Sequence, residues 1–221
     1  MNSYFVTGTD TGVGKTLVSA ALLHALAKHH ERVVGMKPVA AGVVAHGDDW
    51  ASEDALALRA ASTIAVPPEL DNPVLLPDPL SPHIAAARAG ARIDIAELAR
   101  RYRLLAQRAD AVVVEGAGGF HVPLSETETG ADLAQALALP LVLVVGLRLG
   151  CLNHAALTAE AIRSRGLTLA GWVANRIDPA MLGAEENIAW LQHRLRAPLL
   201  ADIPHSESPD ARAIAIQLPP A

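Results

Sequence analysis

The sequence predicts an α/β protein: a mostly parallel β-sheet with helices on both faces, folded as a single domain over 1–221. Three observations lead there. Short β-branched runs alternate with alanine- and leucine-rich windows at helical spacing, the pattern of parallel strands joined by crossover helices. A glycine-rich stretch, GTDTGVGKT from Gly8 to Thr16, stands between the first of these strands and the first helix. The chain has 221 residues, of which 51% are hydrophobic and 19% charged, enough for one sizeable core without division into domains.

The strands are expected at Tyr4–Thr7, Arg32–Lys37, Ala111–Glu115, Leu141–Val145, Leu169–Ala174 and Leu199–Ile203. Between the first two, Val18, Leu22 and Leu26 recur on one helical face, and Lys28-His29-His30 supply the cationic groups that suit a helix C-terminus. Asp94 with Glu97 three residues on reads as an approximate capping box, opening a helix that carries Leu98, Tyr102 and Leu105 on one face. Six prolines between 67 and 82 argue against regular helix or central strand there and predict a stiff surface excursion.

The opening stretch predicts a phosphate-binding loop and, with the strand and helix around it, a fold of the P-loop NTPase type. The usual spelling is G-x-x-x-x-G-K-[ST]: glycines turn backbone N–H groups onto phosphate oxygens, the lysine adds charge and the hydroxyl reaches Mg²⁺. Gly14-Lys15-Thr16 match this spelling, whereas the first glycine falls one position early, at Gly8, with Thr9 in its place. Mg²⁺ is a small hard cation that takes carboxylate and water oxygens. Glu115, ending the strand Ala111–Glu115, and Asp54, in the window SEDALAL, are the candidate carboxylates, although Asp54 equally suits a helix's first turn. Lys37 follows the second strand, which Pro38 stops, and so projects at the same sheet edge. The glycines of Glu115-Gly116-Ala117-Gly118-Gly119 let backbone approach a ligand, as they would in any tight turn after a strand.

Composition narrows the partners. A formal net charge of −5 favours neither nucleic acid nor an anionic membrane, which leaves small molecules. One cysteine, Cys151, excludes an intrachain disulfide and fits a reducing cytoplasm. Thr7, Thr9, Asp10 and Lys15 interrupt any signal peptide, and the longest apolar run, Leu139 to Leu147, is too short to cross a bilayer. The nine histidines show no compact zinc-ligand spacing, and Cys151 reads as a small core residue.

Taken in order, GTDTGVGKT, GMKPVAAG, SEDALAL, VVVEGAGG, LVVGLRLGCLNHA and LAGWVANR resemble the dethiobiotin synthetase family, and the likeness runs from about Tyr4 to Asp210. The resemblance implies an ATP-dependent cyclo-ligase that forms carbon–nitrogen bonds. ATP, CO₂ and 7,8-diaminopelargonate become dethiobiotin, ADP and phosphate through a carbamate and its mixed anhydride with phosphate, a step of biotin biosynthesis. It implies Mg²⁺ held by Thr16, Asp54 and Glu115, with Lys15 and Lys37 as the catalytic cations. Gly12, Val13, Gly14, Lys15, Thr16 and Leu17, with Glu115, Gly116, Ala117 and Gly118, would wrap the phosphates. Asn175, Arg176, Pro204, His205, Ser206 and Asp210 would surround adenine and ribose. Thr11, Lys37, Ala41 and Ser81 would meet the diamine, while Gly150, Cys151, Leu152 and Asn153 would receive its carboxylate from the neighbouring subunit, so a homodimer is implied. The Gly150–Asn153 stretch also precedes a helical window (Ala155, Ala156, Ala159, Ile162), where free N–H groups suit an anion and Asn153 suits an ordinary cap.

Three positions depart from the family pattern: Ala41 lacks the hydroxyl that relatives commonly have, Gly12 stands where an acid is frequent, and Asn187 where some use an aromatic ring. Two rivals fit less well. A ParA/MinD-like nucleotide switch typically carries a second lysine early in the loop, where this chain has Thr11. It often has a basic or amphipathic tail, whereas this sequence ends Ile214-Ala215-Ile216-Gln217-Leu218-Pro219-Pro220 before the last alanine. Larger amidating ligases of cobyrinate type add a glutamine-hydrolysing domain for which 221 residues leave no room.

Overall fold

The computed structural model describes residues 3–47 and 49–219, so Pro220 of the tail lies outside the described residues. In chain order the elements are β1 (Tyr4–Gly8), α1 (Lys15–Leu26), β2 (Val33–Met36), β3 (Val39–Ala41), β4 (Val44–His46), β5 (Asp49–Ala51), α2 (Glu53–Ala61), α3 (Pro68–Asp71), β6 (Val74–Leu76) and α4 (Pro82–Arg88). There follow α5 (Ile95–Ala106), β7 (Ala111–Glu115), α6 (Gly130–Leu137), β8 (Leu141–Gly146), α7 (Cys151–Ser164), β9 (Leu169–Asn175), α8 (Ala184–Leu195) and β10 (Leu199–Ile203), with a final 3₁₀ turn at Ala211–Ala213.

Six strands form the main sheet in the order β10-β9-β8-β1-β7-β2, every pairing parallel. These are the six strands expected from sequence, with ends that differ by a residue at most. β1 and β8 sit side by side, yet the helix after β1 leads toward β2 and the helix after β8 toward β9. The loops therefore part at the carboxyl edge between them, the place where α/β sheets bind ligands. Register brings the site together at that edge, because Val6 of β1 lies opposite both Glu115 of β7 and Val142 of β8.

Buried on both faces, the strands read as continuous apolar runs. One face packs against α1 and α2 through Val18, Leu22, Leu26 and Leu58, with Ile214, Ile216 and Leu218 of the C-terminal segment alongside. The other face meets α5, α6, α7 and α8 through Leu98, Leu133, Ile162 and Leu191.

Three local expectations need correction. The proline-rich stretch holds regular structure: α3, then β6, which pairs parallel with β3, and then α4. Pro68 and Pro82 open helices, because proline's missing N–H costs nothing in a first turn. Nor is the stretch a surface excursion throughout, since Leu70, Asp71, Asn72 and Leu76 are buried. In α5, Asp94 does accept from the N–H groups of Ala96 and Glu97, but Glu97 turns to Arg100 and Arg101 instead of completing the box. Helix α1 ends at Leu26, before Lys28-His29-His30.

Candidate functional site

The loop Thr9–Gly14 turns on two left-handed glycines. Gly12 has φ +73° and Gly14 φ +91°, conformations that L side chains rarely adopt. A Cβ on Gly14 would lie 2.2 Å from Asn175 Nδ2, whose amide donates to the Val13 carbonyl at 2.8 Å. The early glycine of the motif has its own cause: a Cβ on Gly8 would lie 2.7 Å from Val13 Cγ2 and 3.2 Å from Lys15 Cδ. Close packing of the loop onto the end of β1 thus requires glycine at 8 and leaves Thr9 unconstrained in this respect.

From the first turn of α1, Lys15 reaches back so that Nζ donates to the Asp10 carbonyl at 3.0 Å. Burial, with the Lys37 charge adding to it, lowers its pKa to about 8 against the pull of Glu115, Asp54 and Asp10. The Thr16 hydroxyl lies 2.8 Å from Asp54 Oδ1 and 2.9 Å from Glu115 Oε1, joining the start of α1 to α2 and to the end of β7. Lys37 is 4% exposed, and its ammonium bridges Asp54 Oδ2 at 2.7 Å and Glu115 Oε1 at 2.6 Å. Burial disfavours that charge, but the carboxylates of Glu115 and Asp54 outweigh it and raise the Lys37 pKa. Burial acts on Asp54 in the opposite sense from Lys37, which prevails and holds the carboxyl below its ordinary range.

These groups line one cavity of about 800 Å³, and Thr11, Ala41 and Ser81 line it with them. The sequence reading placed those three beside the substrate, and the fold brings them to the phosphate loop. Ala117 and Gly118 also line it. Gly116 does not: its N–H donates to the Val6 carbonyl and it packs against Phe5, so it extends the sheet instead of facing a phosphate. Val13 is buried in the core and can offer only its backbone; Leu17 packs at the edge of the same cluster.

The remaining expected residues lie elsewhere on the carboxyl edge. Asn175 ends β9, Arg176 follows it and Pro204 to Ser206 follow β10; of these, Asn175 hydrogen-bonds the loop. Arg176 is committed to Asp202 and Glu185, His205 Nδ1 lies 3.2 Å from the Arg176 carbonyl, and Asp210 caps the 3₁₀ turn through the Arg212 N–H. Gly150 to Asn153 stand apart from the cavity at the start of α7. Its cap is Gly150, at φ +95°, and Asn153 lies inside the first turn. Cys151 is buried there, and Asn187 sits on α8.

Sequence reading missed the residues that fix Lys37. The Lys37 N–H donates to the Asp71 carbonyl at 2.7 Å, and Asn72 Nδ2 donates to the Lys37 carbonyl at 2.7 Å. Asp71 is itself held by a two-pronged Arg59 contact from α2. It also missed Asp10, whose carboxylate accepts from the Thr11 N–H and pairs with Arg148 ahead of α7. No local signal marks the pairing of Lys37 with Asp71 and Asn72 or of Asp10 with Arg148, which join segments remote in sequence.

Two carboxylates and a hydroxyl make a hard oxygen set, and among the described residues no three His, Cys, Asp or Glu gather as a metal cluster. The set nonetheless fits Mg²⁺. Among the described residues the buried Glu115 Oε2 has no hydrogen-bond partner, a cost that an arriving cation or its water would remove.

Fold and loop together define a P-loop nucleotide-binding protein. A family model described as an AAA domain (AAA_26) matches residues 2–212, and the chain belongs to that family, which includes dethiobiotin synthetase. Solved structures share the fold. A chain of the MinC:MinD cell division protein complex of Aquifex aeolicus matches at 19% identity and TM-score 0.55, over 94% of this chain and 82% of that one. A ParA family ATPase from Chlorobium tepidum matches at 16% and 0.57, over 93% and 84%. The signal recognition particle receptor FtsY of Elizabethkingia anophelis, in complex with GDP, matches at 14% and 0.56, over 97% and 60%. Among the described residues no helix is long and apolar enough to cross a membrane.

Proposed function

We propose that this protein converts 7,8-diaminopelargonate, CO₂ and ATP into dethiobiotin, ADP and phosphate. The observation that carries the reading is the single cavity in which Lys15, Thr16, Lys37, Asp54 and Glu115 meet Thr11, Ala41 and Ser81. The residues expected to meet the diamine thus share one cavity with the phosphate loop, as a transfer from nucleotide to a second substrate requires.

The chemistry asks for charge control. A carbamate oxygen attacking a γ-phosphoryl group brings two anions together, so the protein's task is to position them and neutralise charge. Lys15, tethered to the Asp10 carbonyl, spans the loop where β- and γ-phosphates rest. Lys37 enters the same cavity from the end of β2 and would receive the carbamate. Thr16, Asp54 and Glu115 would hold Mg²⁺, which when bound supplies the divalent charge that offsets the phosphates. The Thr11 side of the cavity takes the diamine. The second amine then closes the ring by attacking the carbamoyl carbon as phosphate leaves. The start of α7, from a second copy of the chain, takes the substrate carboxylate on its first N–H groups and on the side-chain amide of Asn153.

Purified protein incubated with ATP, Mg²⁺, bicarbonate and 7,8-diaminopelargonate should yield dethiobiotin by mass. Lys37→Ala should lower turnover about 100-fold or more while nucleotide still binds, the scale of losing one preorganised donor. Folded protein that gives ADP but no dethiobiotin rejects the reading. The ParA/MinD-like switch has the shared fold in its favour, and ATP-dependent association with DNA or lipid vesicles in that same preparation would revive it.

A further inference from the structure

We propose that the Lys37 ammonium is the resident cation of the Asp54–Glu115–Thr16 site, holding it until nucleotide binds and excluding a free divalent ion. The inference rests on the Mg²⁺ site of the reading above and concerns how that site is kept between turnovers.

Both carboxylates that would ligate a metal are already engaged by one charge. Lys37 Nζ stands 2.7 Å from Asp54 Oδ2 and 2.6 Å from Glu115 Oε1, while the Thr16 hydroxyl contacts the other Asp54 oxygen and the same Glu115 oxygen. A divalent ion arriving alone must share these oxygens with an ammonium at contact distance, or expel it. Expulsion has nowhere favourable to go. The cavity that Lys37 lines is also lined by Lys15, and the two carboxylates its ammonium would leave are the acidic side chains lining that cavity among the described residues.

A triphosphate on the loop reverses the balance. Its terminal phosphate brings an anion into the cavity, giving the Lys37 ammonium a new partner while the vacated carboxylates accept the divalent ion. The move needs only side-chain rotation. The Lys37 backbone is pinned on both sides, its N–H to the Asp71 carbonyl and its carbonyl to Asn72 Nδ2, each at 2.7 Å. Glu115 Oε2 is buried and has no hydrogen-bond partner among the described residues, so one ammonium leaves that oxygen uncompensated. The site is therefore held by a cation weaker than the one it can accept.

The test titrates nucleotide-free protein with Mn²⁺, read by the electron paramagnetic resonance of the free ion. Lys37→Met keeps the stem's length and removes the charge. It should bind Mn²⁺ about tenfold or more tightly than wild type, because a unit positive charge at contact distance is gone. Lys37→Arg keeps the charge and should stay as weak as wild type. Equal Mn²⁺ affinity in wild type and Lys37→Met overturns the proposal. Should Lys37→Met unfold, lysine-ammonium ¹H–¹⁵N spectra of wild type decide. The protected Lys37 resonance should persist in Mg²⁺ alone and shift when Mg²⁺ comes with a non-hydrolysable ATP analogue; a shift in Mg²⁺ alone refutes the idea. Neither readout involves diamine or turnover, so a negative product assay with tightened Mn²⁺ binding fails the function alone. Dethiobiotin formed by a protein whose Mn²⁺ affinity ignores Lys37 fails this inference alone.

Discussion

Gly14 shows how one residue's geometry can be both legible and underdetermined in sequence. The motif marks a glycine there, but its reason lies 161 residues away, in the Asn175 amide that occupies the space a Cβ needs. Gly14→Ala should therefore suffer twice, from φ +91° and from that 2.2 Å approach, while Gly12→Ala meets strain alone, with nothing within 4 Å among the described residues. Left-handed strain costs about 1–3 kcal/mol. Thermal unfolding should rank Gly14→Ala below Gly12→Ala, and nucleotide titration should show the larger loss at Gly14. Equal losses at the two positions would remove Asn175 as the cause. The Gly12 departure also gains a physical account, since glycine takes φ +73° freely where an acidic side chain would be strained. Lys15 and Thr16 could be read from the motif because phosphate chemistry fixes their spacing. Asp54 could not be told from an ordinary first-turn carboxylate, since only the packing of α2 beside α1 brings it to Thr16.

At the scale of elements, strands were read more securely than what lies between them. A strand buried on both faces must be an apolar run, and all six runs became neighbours in one sheet. Of the short elements, β3 and β6 depend on pairing with each other across α2 and α3, while β4 pairs with its sequence neighbour β5, and the prolines that argued against structure turned out to open helices. Helix α6 offers a measurable case of an element held by charge. Asp132 accepts from the Thr129 N–H and hydroxyl and pairs with Arg165 of the segment ending α7. Burial opposes ionisation, but Arg165 and Thr129 prevail and bring its pKa down to about 2. The unfolded carboxyl takes up its proton first, near 3.8. This contribution is therefore complete above about pH 4 and is lost as pH falls toward 2. The melting temperature of wild type should drop over that window more steeply than that of Asp132→Asn. Parallel curves would show that the pair contributes nothing to folding.

At the scale of the molecule, the expected substrate residues divide into two groups that one chain does not join. Thr11, Lys37, Ala41 and Ser81 line the cavity, whereas Gly150 to Asn153 lie at the start of α7 outside it. A dimer that lends the second group to its neighbour's cavity reconciles them, and complementation can check it. Lys37→Ala and Asn153→Ala homodimers should each be strongly impaired, while their mixture, after exchange of subunits, should regain activity through the one site intact in a mixed dimer. No gain on mixing, with exchange demonstrated, would place Asn153 in its own chain's site or in none. The C-terminal segment is also settled at this scale. Ile214, Ile216 and Leu218 pack beside α1, and the Gln217 N–H donates to the Leu200 carbonyl, so the segment is part of the fold.

The sequence by itself determined the sheet and its loop, because burial on two faces and the capture of a phosphate by backbone each demand a residue pattern that local spacing records. Only the tertiary structure decided that Lys37 lies between Asp54 and Glu115 and that Asp71 and Asn72 hold it there. The physical reason is that charge pairing depends on distance in space, and the three segments meeting at this point are brought together by strand order, which no local pattern specifies.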